Sequence, residues 1–434
     1  MEVKIIKVAI LGLGTIGSST YNNIYKNQKA IFDKTEIQLE VIKVLEKEPS
    51  LFKDKVQSNC LITNDYNEIL NDEDISIIIE LMGGTTFAFD CVIKALQKGK
   101  HVVTANKALL AEHIHELNEA VNESNASLFY EAAVAGGIPV IEAIKRSFNS
   151  NNINNIQSIV NGTCNYILTE MSEKGLEFNT VLKDAQEKGY AEADPTFDIE
   201  GIDTAHKISI LTGLAFGKLV RFNDIKNVEG ITKVNIFDIN MAKELGFFIK
   251  LIASTKETES GIDVRVGPCL VNKHHPLASV EGVYNAVFIE GDLVGKTMFY
   301  GKGAGGDATS SAVISDVINC AIDSVVNKNK RFAFYQEMVT SAKVSEFGSA
   351  AKFYVRLLVK DSPGVLATIA GVFARNNISI ATVSQKNSDD EFVPVFLTTH
   401  QANEEDMLRS KEEIMKVQEE AKLKEAPFIM KIIE

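Results

Sequence analysis

The first seventeen residues constrain this 434-residue chain more than any other stretch. Val3 to Leu11 (VKIIKVAIL) is a short β-branched run, the composition of a parallel strand buried on both faces. It leads directly into Gly12-Leu13-Gly14-Thr15-Ile16-Gly17, after which Ser18 to Tyr25 can continue as helix. Each glycine has a mechanical task in such a turn. Gly12 permits the tight bend, Gly14 lets the backbone approach a pyrophosphate, and Gly17 lets helix and strand close up. The free N–H groups and dipole of the new helix then face the phosphates. The same glycine spacing elsewhere in a chain carries little weight. At the first strand-to-helix turn it predicts a Rossmann-type, dinucleotide-binding α/β domain, against the blander reading of an empty fold of that shape.

The following elements keep the βα alternation. A second strand, Ile37 to Leu45, ends at Glu46-Lys47. An acid there accepts the ribose 2′-OH of NAD, whereas a base accommodates the phosphate of NADP. Glu46 and Lys47 point in opposite directions, so the chain leans to NAD with NADP left open. Ile75 to Leu81 reads as strand, Gly83-Gly84-Thr85 as a turn, Phe89 to Lys98 as helix and Lys100 to Thr104 as strand. That last strand delivers Ala105-Asn106-Lys107 to the carboxyl edge of the sheet, where ligands bind in open α/β folds. Lys107 heads a helix, where the macrodipole prefers an anion. Such a local conflict marks function, unless the side chain simply reaches into solvent.

Composition narrows the partners. At 45% hydrophobic content the chain can fill two or three cores. A net charge of −13 argues against nucleic acid and anionic membrane. The longest apolar stretch, Ile75 to Met82, contains Glu80 and is too short to span a bilayer. The chain enters a strand at once, leaving no room for a signal peptide. Cys60, Cys91, Cys164, Cys269 and Cys320 show no zinc spacing and read as reduced thiols of a cytoplasmic protein.

Lys188 to Lys207 (KGYAEADPTFDIEGIDTAHK) packs Glu192, Asp194, Asp198, Asp203 and Lys207 into a segment broken by Pro195 and Gly201. The first acids are expected on a loop. From about Ile202 the segment reads as helix, with Asp203 and Lys207 one turn apart on one face. Pairs of this kind are usually exposed salt bridges worth a few tenths of a kcal/mol. The functional alternative is a site for a small zwitterion. Two further stretches fit a site. Leu128 to Glu131 opens into Ala-Ala-Val-Ala-Gly136-Gly137-Ile-Pro139, whose irregular backbone leaves carbonyls beside Glu131, the oxygen ligands hard cations take. Ile156 to Val160 runs into Asn161-Gly162-Thr163 before a helix from about Asn165 to Lys174, offering amide, hydroxyl and N–H donors or a plain N-cap.

GLGTIG, VTANKALLA, YEAAVAGGIP, NGTCNYIL, GYAEADPTFDIEGIDTAHK and YGKGAGGDATSSAVISD, in this order over roughly residues 1–325, resemble homoserine dehydrogenase. That resemblance implies NAD(P)-dependent interconversion of L-homoserine and L-aspartate 4-semialdehyde, in threonine and methionine biosynthesis. It implies Lys207 as proton donor and acceptor, and Lys107 as the lysine between cofactor and substrate. Glu192 and Asp203 become substrate-binding acids, with Gly189 and Glu192 also near the nicotinamide. Glu131 with the carbonyls of Val134, Gly136 and Ile138 matches a monovalent-cation (sodium) site. Gly305, within Lys302 to Gly306, matches a second cofactor loop beside Gly12, Leu13, Gly14, Thr15, Ile16, Gly17 and Glu46. Many members carry a base just before the acid at the end of the second strand, and here Leu45 precedes Glu46.

The chemistry suits these residue types. Homoserine offers an ammonium for Glu192, and its carbinol carbon gives up a hydride while one proton must be moved. A lysine can move it where burial or another cation favours the neutral amine. A second reading keeps the scaffold as a non-catalytic amino-acid sensor, and a third assigns it another small amino alcohol.

The C-terminal part changes character. Arg331 to Gly348 reads as a connector. Tyr354 to Val359 reads as strand, then Asp361 or Ser362 as cap with Pro363 in the first turn of a helix from Val365 to Asn376. Ile378 to Gln385 and Phe392 to Thr399 read as strands and Glu404 to Ala421 as amphipathic helix, a ferredoxin-like order. DSPGVLATIAGVFARNNISIATVSQ resembles an ACT domain, which implies an amino-acid effector such as L-threonine, or a dimerisation module without ligand. The expected organisation is a Rossmann domain over 1–130, completed by a helix near 306–325. An α+β catalytic and dimerisation domain on an antiparallel sheet follows over 131–305, then a connector over 326–350 and an ACT domain over 351–434, the whole a homodimer or homotetramer.

Overall fold

The computed structural model describes residues 4–326, 341–385, 391–419 and 421–434. The expected connector lies outside the described residues between positions 327 and 340. The chain forms two compact units, one of residues 1–154, 206–224 and 285–342, the other of 155–205, 225–284 and 343–434.

The first unit is built on the apolar strands expected from the sequence. These are β1 (Lys4–Leu11), β2 (Ile37–Leu45), β3 (Leu61–Thr63), β4 (Ile77–Glu80), β5 (His101–Thr104) and β6 (Leu128–Phe129). They form a six-stranded sheet in the order β3-β2-β1-β4-β5-β6, every pair parallel. This is the doubly wound order, and it reverses between β1 and β4, where such sheets open a crevice at their carboxyl ends. Val8, Ile10, Val41, Ile77, Ile79 and Val103 form the heart of its core, because strands covered on both faces need apolar residues at successive positions. The helix Gly306–Cys320 adds Val313, Val317 and Cys320 to that core. It lies along the first helix, Thr15–Lys26, where Asn23 donates to Asp307 (3.0 Å) and Ser310 (2.8 Å).

The second unit holds β7 (Ile153–Ile159), the paired twelve-residue strands β8 (Phe247–Thr258) and β9 (Gly261–Asn272), and a C-terminal set. With β10 (Tyr284–Gly291) and β11 (Gly295–Lys302) counted in chain order, that set is β12 (Lys352–Lys360), β13 (Ile380–Gln385), β14 (Phe392–Thr399) and β15 (Phe428–Ile433). With the helices Val365–Arg375 and Glu404–Lys416 it gives the βαββαβ order. The second sheet is mixed: β7, β8 and β9 are antiparallel, but β15 pairs parallel with β9 through Lys431, Ile432 and Ile433. An unpaired β9 edge would leave a row of open N–H and C=O groups, and β15 closes it.

Buried charges reinforce that seam. Asp238, on the helix Ile236–Glu244, accepts from Tyr354 (2.8 Å) and from the Arg356 guanidinium of β12. Arg265 of β9 donates to Asp263 (2.6 Å) and pairs with Glu404. Two local expectations shift. Gly364, left-handed at φ +92°, takes the N-cap position before Val365, so neither Asp361 nor Ser362 caps that helix. The last helix ends at Lys416 rather than Ala421.

Candidate active site

The glycine-rich turn closes at its ends and opens in the middle. A side chain on Gly17 would bring Cβ within 2.0 Å of the Gly12 carbonyl oxygen, so only glycine lets the helix start there. A Cβ on Gly14 would meet nothing within 4 Å, which leaves the room a pyrophosphate needs. The Gly12 N–H donates to the Leu45 carbonyl (3.0 Å), and the Leu13 N–H donates to the Glu46 carboxylate. Glu46 is thus locked to the turn, whereas Lys47 is exposed. The helix Thr15–Lys26 has no side-chain cap and no acid in its first turn. Its leading N–H groups therefore remain for an anion.

At the same sheet edge Asn106 caps the helix Lys107–Glu123 by accepting from the Leu109 N–H (3.1 Å), and its amide donates to the Gly84 carbonyl (2.7 Å). Lys107 is half-buried in the first position of that helix. Gly305, at φ +112°, precedes the helix Gly306–Cys320. The adjoining Gly303 packs on Asn285, and its carbonyl lies where a Cβ on Gly136 would be, 2.4 Å away.

Glu131 opens a short 3-10 turn after β6 and is buried. Its carboxylate accepts from the N–H groups of Ile141 (2.9 Å) and Glu142 (2.7 Å). Burial pushes its pKa up to about 7 against the pull of those bonds. Ala135 and Gly136 both have positive φ, which twists the backbone that carries the Val134, Gly136 and Ile138 carbonyls. Carboxylate and carbonyl oxygens are the kind of ligand that hard cations take. Among the described residues no group of three or more His, Cys, Asp or Glu could hold a metal.

In the second unit the acidic segment is organised by Asn161. Its Oδ1 caps the helix Gly162–Lys174 through the Cys164 N–H (2.8 Å), and its Nδ2 donates to both Asp198 (2.7 Å) and Asp203 (2.8 Å). The sequence suggested either a cap or a ligand donor; the residue is a cap that also gathers two acids. No local pattern reveals that, because the partners lie 37 and 42 positions away. Gly189 sits at φ +73° just past the helix Phe178–Glu187, and the Tyr190 carbonyl accepts from Thr163 (2.6 Å). Glu192 is exposed, with its carbonyl held by Gln186 (3.1 Å). Asp203 and Lys207 stand one turn apart on the helix Ile202–Phe216 and are only 2% and 9% exposed. That burial removes the surface-salt-bridge reading. The two-unit division passes through this helix, leaving Lys207, Lys107, Glu131 and the glycine turn in the first unit and Gly189, Glu192 and Asp203 in the second.

In the ACT-like segment, Asp361, Ser362, Pro363, Gly364, Leu366 and Gln385 line a cavity of 400 Å³. Its size is at the low end of small-molecule sites.

The doubly wound order and the open turn make the first unit a dinucleotide-binding domain of the Rossmann class. Comparison with known proteins narrows the class. Residues 12–131 match the homoserine dehydrogenase NAD-binding domain family, 139–318 the homoserine dehydrogenase family and 353–417 the ACT domain family. The chain is 41% identical to a homoserine dehydrogenase of Pseudomonas aeruginosa, over 93% of this chain and 94% of that one. Against the Synechocystis enzyme the identity is 37%, over 99% of each. The crystal structure of a Thiobacillus denitrificans homoserine dehydrogenase superposes with a TM-score of 0.92 at 36% identity, covering 99% of both chains. A hyperthermophilic archaeal homoserine dehydrogenase in complex with NADPH matches at a TM-score of 0.63 and 26% identity, over 75% of this chain and 100% of that one. The chain belongs to the homoserine dehydrogenase family. It is an oxidoreductase that interconverts L-homoserine and L-aspartate 4-semialdehyde with NAD(P), and it carries a C-terminal ACT domain. Among the described residues no helix is long and apolar enough to cross a membrane.

Proposed function

We propose that Lys207 is the group that moves the proton in this reaction. The observation that carries this reading is the burial of Lys207 and Asp203 one turn apart on a single helix. In the oxidative direction the carbinol C–H bond breaks with its electron pair, and the Lys207 amine takes the hydroxyl proton as the C–O bond becomes C=O. In the reductive direction the Lys207 ammonium returns that proton to the developing alkoxide. The bound nicotinamide supplies the hydride acceptor and donor. Asp203, held by Asn161, orients the lysine and the substrate. Glu192 takes the substrate ammonium, with Gly189 giving the turn that presents it, and Lys107 serves between cofactor and substrate.

The dinucleotide lies along Gly12, Leu13, Gly14, Thr15, Ile16 and Gly17, with Gly305 on the second loop. Glu46, fixed on the Leu13 N–H, presents a carboxylate toward the ribose and so favours NAD over the extra phosphate of NADP. Glu131 and the carbonyls of Val134, Gly136 and Ile138 hold a monovalent cation, with sodium the fitting ion. The loop from Asp361 to Gly364 takes an amino-acid effector, for which L-threonine is the natural candidate as a product reached from homoserine.

Three outcomes follow. Lys207→Ala lowers kcat by at least about 10²-fold, the usual range for a general acid–base group, while the dissociation constant of the cofactor changes little. Near-normal turnover in the folded variant would remove Lys207 from the proton path. A cation at Glu131 needs the ionised carboxylate, and in the cation-free protein that carboxyl titrates at about 7. Sodium affinity, read by calorimetry with choline chloride holding the ionic strength, is therefore full above that pH and falls about tenfold per unit below it. Affinity independent of pH from 5.5 to 8.5, or no sodium binding, contradicts the site. L-Threonine inhibits the enzyme in a dose-dependent way that Gly364→Val abolishes; a flat dose–response with intact turnover discards this effector.

A further inference from the structure

The strand β4 ends on a residue that the reaction scheme does not use. Glu80 is 0% exposed at the carboxyl edge of the parallel sheet, paired in register with Leu11 on one side and Thr104 on the other. An acid so placed costs folding free energy, because ionised carboxyls are strongly favoured by water. Burial indeed pushes the Glu80 carboxyl above its ordinary range. A neutral residue would finish the strand at lower cost, so the acid needs another explanation.

Its hydrogen bonds supply one. One carboxyl oxygen accepts from the Met82 N–H (2.8 Å) and, at longer range, the Gly83 N–H (3.4 Å). The other accepts from the Thr104 hydroxyl (2.6 Å). Thr104 Oγ1 in turn accepts from the Asn106 N–H (3.0 Å), and the Asn106 amide returns to the Gly84 carbonyl (2.7 Å). The ring therefore closes from the β4 turn to the β5 turn and back. Asn106 also caps the helix whose first residue is Lys107. On its other side the β4 turn backs onto the dinucleotide loop: a Cβ on Gly12 would stand 3.0 Å from the Leu81 oxygen and 3.1 Å from Met82 Cα. One buried carboxyl thus joins two loops of the cofactor edge, and the third, the dinucleotide loop, packs against the first of them.

We propose that Glu80 is a positioning residue that sets the register of the β4 turn and the Lys107 segment against the dinucleotide loop. The part concerning Lys107 rests on the role assigned to that lysine above. Removing the carboxyl frees two backbone N–H groups and the Thr104 hydroxyl, and the two turns then move independently.

The test is steady-state kinetics on the full-length enzyme with homoserine carrying hydrogen or deuterium at the carbinol carbon, alongside cofactor affinity measured by fluorescence. Glu80→Ala lowers kcat/KM on the order of 10²-fold, as expected for a shift near 1 Å, weakens cofactor binding and raises the deuterium isotope effect. Glu80→Gln keeps an acceptor for Met82 and Gly83 and stays within about tenfold of the parent. Thr104→Val opens the same ring, so the Glu80→Ala, Thr104→Val double variant loses no more than the worse single one. A folded Glu80→Ala enzyme with parental kcat/KM, isotope effect and cofactor affinity overturns the proposal, as does a double variant whose losses multiply. A purely structural role lowers the unfolding midpoint without moving the isotope effect. Lys107→Ala separates the two readings: if it turns over normally while Glu80→Ala still weakens cofactor binding, the role of Lys107 fails and the ring stands.

Discussion

The contact between Gly17 and the Gly12 carbonyl is the constraint on which the cofactor half depends. A single added carbon would collide at 2.0 Å, so the hydrogen at Gly17 decides where the first helix begins. That start sets the N–H groups left open for phosphate and brings Leu13 onto Glu46. The helix Gly306–Cys320 packs along that same first helix, where Asn23 donates to Asp307 (3.0 Å) and Ser310 (2.8 Å). The open N–H groups at the head of the first helix are a consequence of one close approach.

Charge is used differently in the two halves. In the parallel-sheet half and on the helix Ile202–Phe216, the ionisable groups Glu80, Glu131, Asp203 and Lys207 are buried, and the roles proposed for them depend on that burial. Along the β9–β15 seam, Asp238 with Arg356 and Arg265 with Asp263 and Glu404 join segments that lie 118 and 139 positions apart in sequence. Such pairs give little net stability, since desolvation offsets their attraction, but an unpaired member would be costly. They fix how the C-terminal module continues the second sheet. Joined by backbone pairing and buried ion pairs, the ACT module is a continuous part of the second sheet through β15 and β9.

What was legible in the sequence was local. The β-branched run before Gly12, the alternation through Thr104 and the break at Gly201 before a helix carrying Asp203 and Lys207 rest on periodicity and backbone freedom within a few residues. β2 and β14 lie where the pattern put them, at Ile37–Leu45 and Phe392–Thr399. The structure departs where a contact partner is remote. Asn161 starts its helix at Gly162, three residues earlier than the pattern suggested, because its side chain serves both as cap and as donor to acids far along the chain. The parallel pairing of β15 with β9 leaves no periodic trace in either strand. Glu80 was visible as a lone acid in an apolar strand, but its role lies in turns that meet only in the fold. The Glu131 carboxylate is held by two helix N–H groups ten and eleven positions on, a partnership that spacing alone does not reveal.

The edge built by the glycine turn and Glu46 serves a dehydrogenase acting on homoserine. Homoserine-dependent reduction of NAD⁺ and NADP⁺, run in parallel at mildly alkaline pH, tests it most directly. Turnover is expected with both, with a higher kcat/KM for NAD⁺. A clear preference for NADP⁺ would show that Glu46 does not govern the ribose. Absence of turnover with either cofactor, in a folded protein that binds both, would contradict the claim itself.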